Sequence, residues 1–223
     1  MPARAASLSA RTDLTARLRD AIARGRLLPN ERLIETDLAA AYGVNRANIR
    51  MALAMLDQEG LVVRERNRGA RVRAVSDDEA LEIAETRLAI ETMIAGQAAR
   101  RVADNDRKAL RAILARMRGC VDGEDYAGFS DANAALHREI QRIAANATAS
   151  RIVASLKSQI VRLQYRVILL PGRPALSLAE HRRIVEAICA GDRAGAEAAM
   201  RAHLTSFLRL LKQAIAAARS GGF

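Results

Sequence analysis

Three histidines occur in the whole chain, and each lies on a helical stripe of apolar residues. His137 falls one turn after Asn133 and shares a face with Ile140. His181 sits among Leu178, Ile184, Val185 and Ile188, and His203 among Ala199, Met200, Phe207 and Leu210. At helical spacing these positions turn all three imidazoles inward, from three different helices. A single inward histidine is ordinarily a hydrogen-bonded core residue. Three, with none elsewhere, could meet at one divalent cation, and the Asn133 amide would add an oxygen from the face of His137. Arg87 lies on a stripe with Ile83, Ile90 and Ile94, where an unpaired charge is costly. It is read either as half of an i,i+4 ion pair with Glu91 or as a clamp for an effector carboxylate.

A second set lies in the first third of the chain. On a helical wheel Ile49, Ala52, Leu53 and Leu56 centre on one side of a segment starting near Asn45. Ala47 points almost opposite, flanked by Arg46, Asn48 and Arg50. An apolar back and a polar front are what a helix entering the DNA major groove needs. Arg can give two parallel hydrogen bonds to guanine, and Asn can do the same for adenine. Arg64, Arg66 and Arg68 then alternate along an extended ribbon before Gly69, which suits phosphates or a neighbouring minor groove. The alternative is a solvated basic helix and an Arg-rich turn.

The elements that would hold these residues follow from period and punctuation. Leu14, Leu18 and Ile22 mark one helix ending near Gly25, and a short helix from about Glu35 to Tyr42 stops at Gly43. The third helix ends near Gly60. Two short strands follow, at 61–64 and 70–73, around Asn67-Arg68-Gly69. Three helices and a hairpin are the order of a winged helix-turn-helix. Beyond Ser76, whose spacing from Glu79 is that of a capping box, every long segment reads as helix. Breaks fall near Asp104, Asp122–Asp125, Asn146, Pro171–Pro174 and Gly191-Asp192, and Ser177 with Glu180 gives a second capping-box match. The fold expected is mainly α: a winged helix-turn-helix over residues 1–75, then an antiparallel bundle of about six helices over 76–223.

Composition agrees. The 223 residues carry a net charge of +11, with 3 % aromatics and no Trp, so the core must be Ala, Leu, Ile and Val in closely packed helices. Residues 1–75 hold +6 of that charge, which points this part at a polyanion. Cys120 and Cys189 are too few and too isolated for a disulfide framework. The absence of an apolar leader or an 18-residue apolar run predicts a cytoplasmic chain without membrane contact.

The stretch from Ala23 to Val72 resembles the DNA-binding domain of GntR-family bacterial transcription regulators. The resemblance rests on Gly25-x-Leu27, Pro29-x-Glu31-Arg32-Leu33, Leu38-Ala39, Gly43-Val44-Asn45-Arg46, Arg50-x-Ala52-Leu53 and Gly60-Leu61. Asn30 stands where Gly is usual, Asn45 where Ser or Thr is, and Ala47 and Asn48 replace commoner residues. The resemblance implies base and phosphate contacts for Arg46 and Arg50, with Asn45 and Asn48 carried over as positions. Residues 77–215 resemble the helical effector domain (FCD) of the FadR-type subgroup. Its Asp-x-x-x-His element matches Asn133 to His137, its later Asn matches Asn146, and its further ligand histidines match His181 and His203. The resemblance implies a divalent transition metal, zinc-like or nickel-like, that helps hold an organic acid, with Arg87 on the first effector-domain helix. Asn133 in place of Asp removes one negative charge from the ligand shell.

The expected function is therefore a ligand-responsive transcription regulator, a repressor, that binds operator DNA as a homodimer and senses a small organic acid. Two other classes compete with it. A metal-dependent hydrolytic enzyme would need a general base, and Asn133 stands where one would be sought. A non-specific nucleic-acid-binding protein would account for the charge but not for the polar pocket.

Overall fold

The computed structural model describes residues 14–65 and 69–220. The chain divides into two units, Met1–Ser76 with Lys157–Arg162, and Asp77–Leu156 with Leu163–Phe223. In the first unit, α1 (residues 14–23) precedes β1 (Arg32–Leu33), α2 (Glu35–Tyr42), α3 (Arg46–Gln58), β2 (Val62–Glu65) and β3 (Gly69–Val72). The expected hairpin pairs antiparallel, with Val62 opposite Val72 and Glu65 opposite Gly69. A third strand joins it: β1 pairs with β3, giving the order β1-β3-β2. Two residues are too short for an alternation pattern, which is why β1 escapes a sequence reading.

Leu14, Leu18 and Ile22 of α1 pack with Ile49, Leu53 and Leu56 of α3 and with Val62 and Val72 of the sheet. Each such fully buried aliphatic side chain contributes about 1.5–3 kcal/mol. The turn into α3 is set chemically. Gly43 ends α2 in the left-handed region at φ 65°, donating back to Ala39 and Ala40 carbonyls, and Asn45 caps α3 by accepting from the Asn48 N–H at 2.8 Å. Ser, Thr and Asn all serve as N-caps, so Asn45 preserves the backbone function of that position. Asn30 has φ 65°, a region that Asn tolerates better than most side chains, and its Oδ1 accepts from Arg71 at 2.9 Å. Both departures from the family pattern keep the local geometry.

The second unit contains α4 (Asp77–Arg101), α5 (Asp104–Asp122), α6 (Tyr126–Ala144), α7 (Ala147–Gln159), α8 (Val161–Ile168), α9 (Arg173–Cys189) and α10 (Arg193–Ser220), apart from the residues near 160 that group with the first unit. Every expected break is present. One of the six expected helices is divided, because the helix after Asn146 is interrupted at Ile160. α4 begins directly after Ser76, with Asp77, Asp78 and Glu79 in its first turn and Arg100 and Arg101 in its last, matching the helix dipole at both ends. The second capping box is not formed. Pro174 starts α9 one turn earlier, at N1/N2, so Ser177 and Glu180 lie inside the helix with their side chains free for other partners.

The two longest helices, α4 and α10, lie together, and α4 also packs on α6 and α9. Small residues permit this: Ala84, Ala95, Ala98 and Ala99 of α4 and Ala196 of α10 are buried. A Cβ at Gly96 of α4 would collide with Glu197 of α10. Because α4 touches three helices, its Arg87 and Glu91 are enclosed although they belong to polar residue types.

Candidate functional site

α6, α9 and α10 each bring one histidine to the middle of the helical unit. His137, His181 and His203 are all buried, His181 completely. Their ring centroids stand 4.2–5.6 Å apart, and one nitrogen of each lies within 4.8 Å of the others. The three inward stripes of the sequence thus converge at one point.

What fixes the rings is a surround of acceptors. His137 Nδ1–H donates to Glu91 Oε2 at 2.8 Å, His203 Nδ1–H to Glu180 Oε2 at 2.7 Å, and His181 Nδ1–H to the Ser177 carbonyl at 2.6 Å. An oxygen acceptor on each Nδ1 selects the tautomer whose Nε2 carries a bare lone pair. The Nε2 atoms of His137 and His181 are 3.2 Å apart. Two lone pairs at that separation repel unless a cation or proton stands between them. Two nitrogens sharing a zinc ion at about 2.0–2.1 Å in tetrahedral geometry are about 3.4 Å apart, so the spacing suits a common ion. Burial, and then the neighbouring imidazoles, push His181 well below its ordinary pKa. Burial also lowers His203, against the opposing pull of Glu180. Both rings are therefore neutral at pH 7, the form that binds metals.

The carboxylates behind the rings are held in turn by guanidinium groups. Glu91 Oε1 accepts from Arg87 Nε at 2.9 Å and Nη2 at 2.7 Å, both residues being 2 % exposed. Gln164, with its amide oxygen facing the guanidinium, accepts from Arg87 Nη1 at 2.6 Å. Arg173 pairs with Glu180 through Nη1 at 3.1 Å and Nη2 at 3.0 Å, and its Nη1 also reaches Ser206 Oγ at 3.2 Å. Burial pushes the Glu180 carboxyl up, but the hydrogen bonds from His203 and Arg173 outweigh it and leave its pKa at about 2. The two arms repeat one pattern, guanidinium to carboxylate to imidazole.

Asn133 stands one turn before His137 on α6, and its Oδ1 is buried with no hydrogen-bond partner. Such an oxygen ordinarily costs about 1–3 kcal/mol if left unsatisfied, so it is open to a donor or a cation. Three imidazole nitrogens, with an amide oxygen one turn from His137, are a donor set that fits a borderline divalent cation. Asp131 is exposed and takes no place in the set. Asn146 lies apart in role: it caps α7 by accepting from the Ala149 N–H at 3.0 Å and donates to Gln97 at 3.2 Å.

Arg87 forms the ion pair with Glu91 that its spacing offered. Glu91, Glu180 and Arg173 were not singled out from sequence as parts of the centre. Glu91 looked like half of a helix-surface pair and Glu180 like a capping residue. The available signal was that both carboxylates fall on stripes that also carry a buried cation or imidazole.

In the first unit, Arg46 and Arg50 project into solvent from α3, where Asn45 and Asn48 mark its first turn. Arg64 is exposed on β2, and Gly69 opens β3 at φ 85°. Arg66 and Arg68 lie outside the described residues. Glu35, on the first turn of α2, accepts hydrogen bonds from both Arg46 and Arg50.

Comparison with known proteins gives a consistent result. Residues 82–206 match the FCD domain and residues 10–72 match the bacterial regulatory proteins of the gntR family. The chain is 30 % identical over 203 residues to a "Probable D-xylose utilization operon transcriptional repressor" of Paenarthrobacter nicotinovorans, covering 89 % of this chain and 88 % of that one. It is 28 % identical over 211 residues to the "HTH-type transcriptional repressor GlaR" of Escherichia coli (strain K12), covering 89 % and 94 %. In fold it is similar to E. coli McbR/YncC, with a TM-score of 0.81 at 17 % identity over 92 % of this chain and 98 % of that chain. A GntR regulator structure from Rhodococcus sp. RHA1 gives a TM-score of 0.73 at 23 % identity over 92 % and 99 %. No helix among the described residues is long and apolar enough to cross a membrane.

Proposed function

Because this chain belongs to the GntR family of bacterial transcription regulators and carries an FCD domain, we propose that it is a metal-containing repressor whose helical domain senses a small organic acid. Residues 1–75 form the DNA-binding domain and residues 76–223 the effector-binding and dimerisation domain. A homodimer places two copies of α3 on a roughly two-fold operator. Arg46 and Arg50 read base edges, Asn48 and the Asn45 amide N–H groups add polar contacts, and Arg66, Arg68 and the Gly69 turn engage the neighbouring backbone or minor groove. The repressor names of the relatives support the direction of regulation.

The observation that carries the metal reading is the pairing of committed and orphaned atoms. Every Nδ1 in the cluster donates outward, the Nε2 atoms of His137 and His181 face each other at 3.2 Å, and Asn133 Oδ1 has no partner. His137, His181, His203 and Asn133 would hold the cation, which would supply Lewis-acid attraction for an effector carboxylate. The loss of charge at Asn133 is offset by Glu91 and Glu180, which lie behind two of the imidazoles and raise their donor strength. Arg87 contributes by exchanging its Nη1 hydrogen bond to Gln164 for the effector carboxylate, while Nε and Nη2 stay with Glu91. An effector then regulates by binding one dimer geometry more tightly than the other, a coupling of about 1–3 kcal/mol.

The family consists of regulators rather than enzymes, and the site agrees with that. Both carboxylates near the histidines are already held by an arginine and an imidazole, so neither is available as a general base. The test is the metal content of untagged, dialysed protein. About one transition-metal ion per chain is expected, with none in His137→Ala. Metal-free wild-type protein that also fails to take up zinc or nickel after chelation would overturn the reading.

A further inference from the structure

The two arginines that would read bases are not independent side chains. Arg50 donates from Nε to Glu35 Oε1 at 3.2 Å and from Nη2 to Oε2 at 3.0 Å, while Arg46 Nη2 approaches the same Oε2 at 3.5 Å. The Glu35 side chain is 23 % exposed against 57 % and 61 % for Arg50 and Arg46, so the carboxylate is the better-anchored member. It sits in the first turn of α2, where the helix dipole favours an anion. The hydrogen bond from Arg50, against weak burial, holds the Glu35 carboxyl below its ordinary pKa.

The hydrogen-bond pattern decides what Arg50 can do next. A guanidinium has five N–H donors in two usable edges. Glu35 occupies the Nε/Nη2 edge and leaves the Nη1/Nη2 end free, which is the end that can span O6 and N7 of a guanine. The carboxylate also halves the net charge of the triad, from +2 for two bare arginines to +1, which lessens attraction to phosphate at any sequence.

We propose that Glu35 is a specificity-determining positioning residue, which orients Arg50 and Arg46 towards base edges and restrains them from indiscriminate phosphate contact. This rests on the DNA-binding reading of α3. Removing the carboxylate lets two long cations swing to backbone phosphates, so affinity rises where selectivity falls. A purely structural role would instead weaken binding to all DNA alike.

The experiment uses the full-length protein and two duplexes: one enriched from a randomised library by the wild-type chain, and one of scrambled sequence. Glu35→Gln is compared with Asp37→Asn, which removes an exposed charge from the same first turn and is not among the acceptors for Arg46 or Arg50. For Glu35→Gln, affinity for the scrambled duplex is expected to rise about threefold to tenfold, with a salt slope steeper by about one. The preference for the enriched duplex is expected to fall about tenfold or more. Asp37→Asn is expected to keep the wild-type preference, and thermal unfolding of both variants is expected to match wild type. Equal behaviour of the two variants, or a parallel loss on both duplexes in Glu35→Gln, would overturn the proposal while leaving the DNA-binding reading intact. A wild-type chain that enriches no sequence would overturn the DNA-binding reading and this proposal with it.

Discussion

Glu91→Leu is expected to destabilise the helical unit by about 3–5 kcal/mol, since removing one member of a buried ion pair strands the other. Arg87 and Glu91 are both buried, and Glu91 serves two partners at once, Arg87 and His137. The substitution thus leaves a guanidinium without its anion and an imidazole N–H without its acceptor. Gln164 also faces Arg87, but as a neutral partner it cannot replace the charge. Chemical denaturation provides the measurement: the midpoint should fall with little change in slope. The double variant Arg87→Met/Glu91→Leu should recover most of the loss, because no buried charge then remains unpaired. What it does not recover reports the missing acceptor of His137. A single variant as stable as wild type would mean that water reaches the pair and screens it.

Metal-linked stability is the second large effect. A cation that binds only the folded chain stabilises it by about 4 kcal/mol when free metal exceeds its dissociation constant a thousandfold. For a chain of this length that corresponds to a rise in Tm of roughly 8–16 °C. Calorimetry of chelator-treated protein with and without zinc or nickel should show the rise, and His181→Ala should abolish it. Asn133→Asp should act in two directions. Without metal it places a carboxylate where the structure has an unpartnered amide oxygen, so apo stability should fall. With metal the added anion strengthens binding, so the metal-dependent gain should exceed that of wild type. A gain in Asn133→Asp no larger than in wild type would show that this position faces away from the cation.

Much of this arrangement was legible in sequence, for reasons specific to each part. Helix ends were legible where Gly, Asn or Pro dictated them, as at Gly43, Asn45, Asn146 and Gly191, because those residues act on the backbone within a turn. The convergence of three histidines was legible because each shares a stripe with apolar residues, and a bundle has only one inside. The surround of the rings was not. Glu91 lies four positions from Arg87 and Glu180 three from Ser177, spacings that equally describe a solvated ion pair and a cap. Only the packing of α4 and α9 against other helices distinguishes these cases. The break at Ile160 and the two-residue strand β1 were also hidden, since neither carries a punctuating residue or a long enough pattern.

The mirrored arms of the histidine centre have a consequence for motion. Glu91 ties α4 to α6 through His137, while Glu180 ties α9 to α10 through His203, and Arg173 closes a second tie to Ser206 of α10. One nitrogen of each ring lies within 4.8 Å of the others, so a cation bound by all three would join the two tied pairs. The packing of α4 on α10 and α9 already couples the pairs, so in hydrogen exchange filling the centre should raise the protection of α4, α6, α9 and α10 together, most of all around the three histidines. The exchange pattern of the apo and loaded protein would show the centre acting as a fastener whose state is read out across four helices.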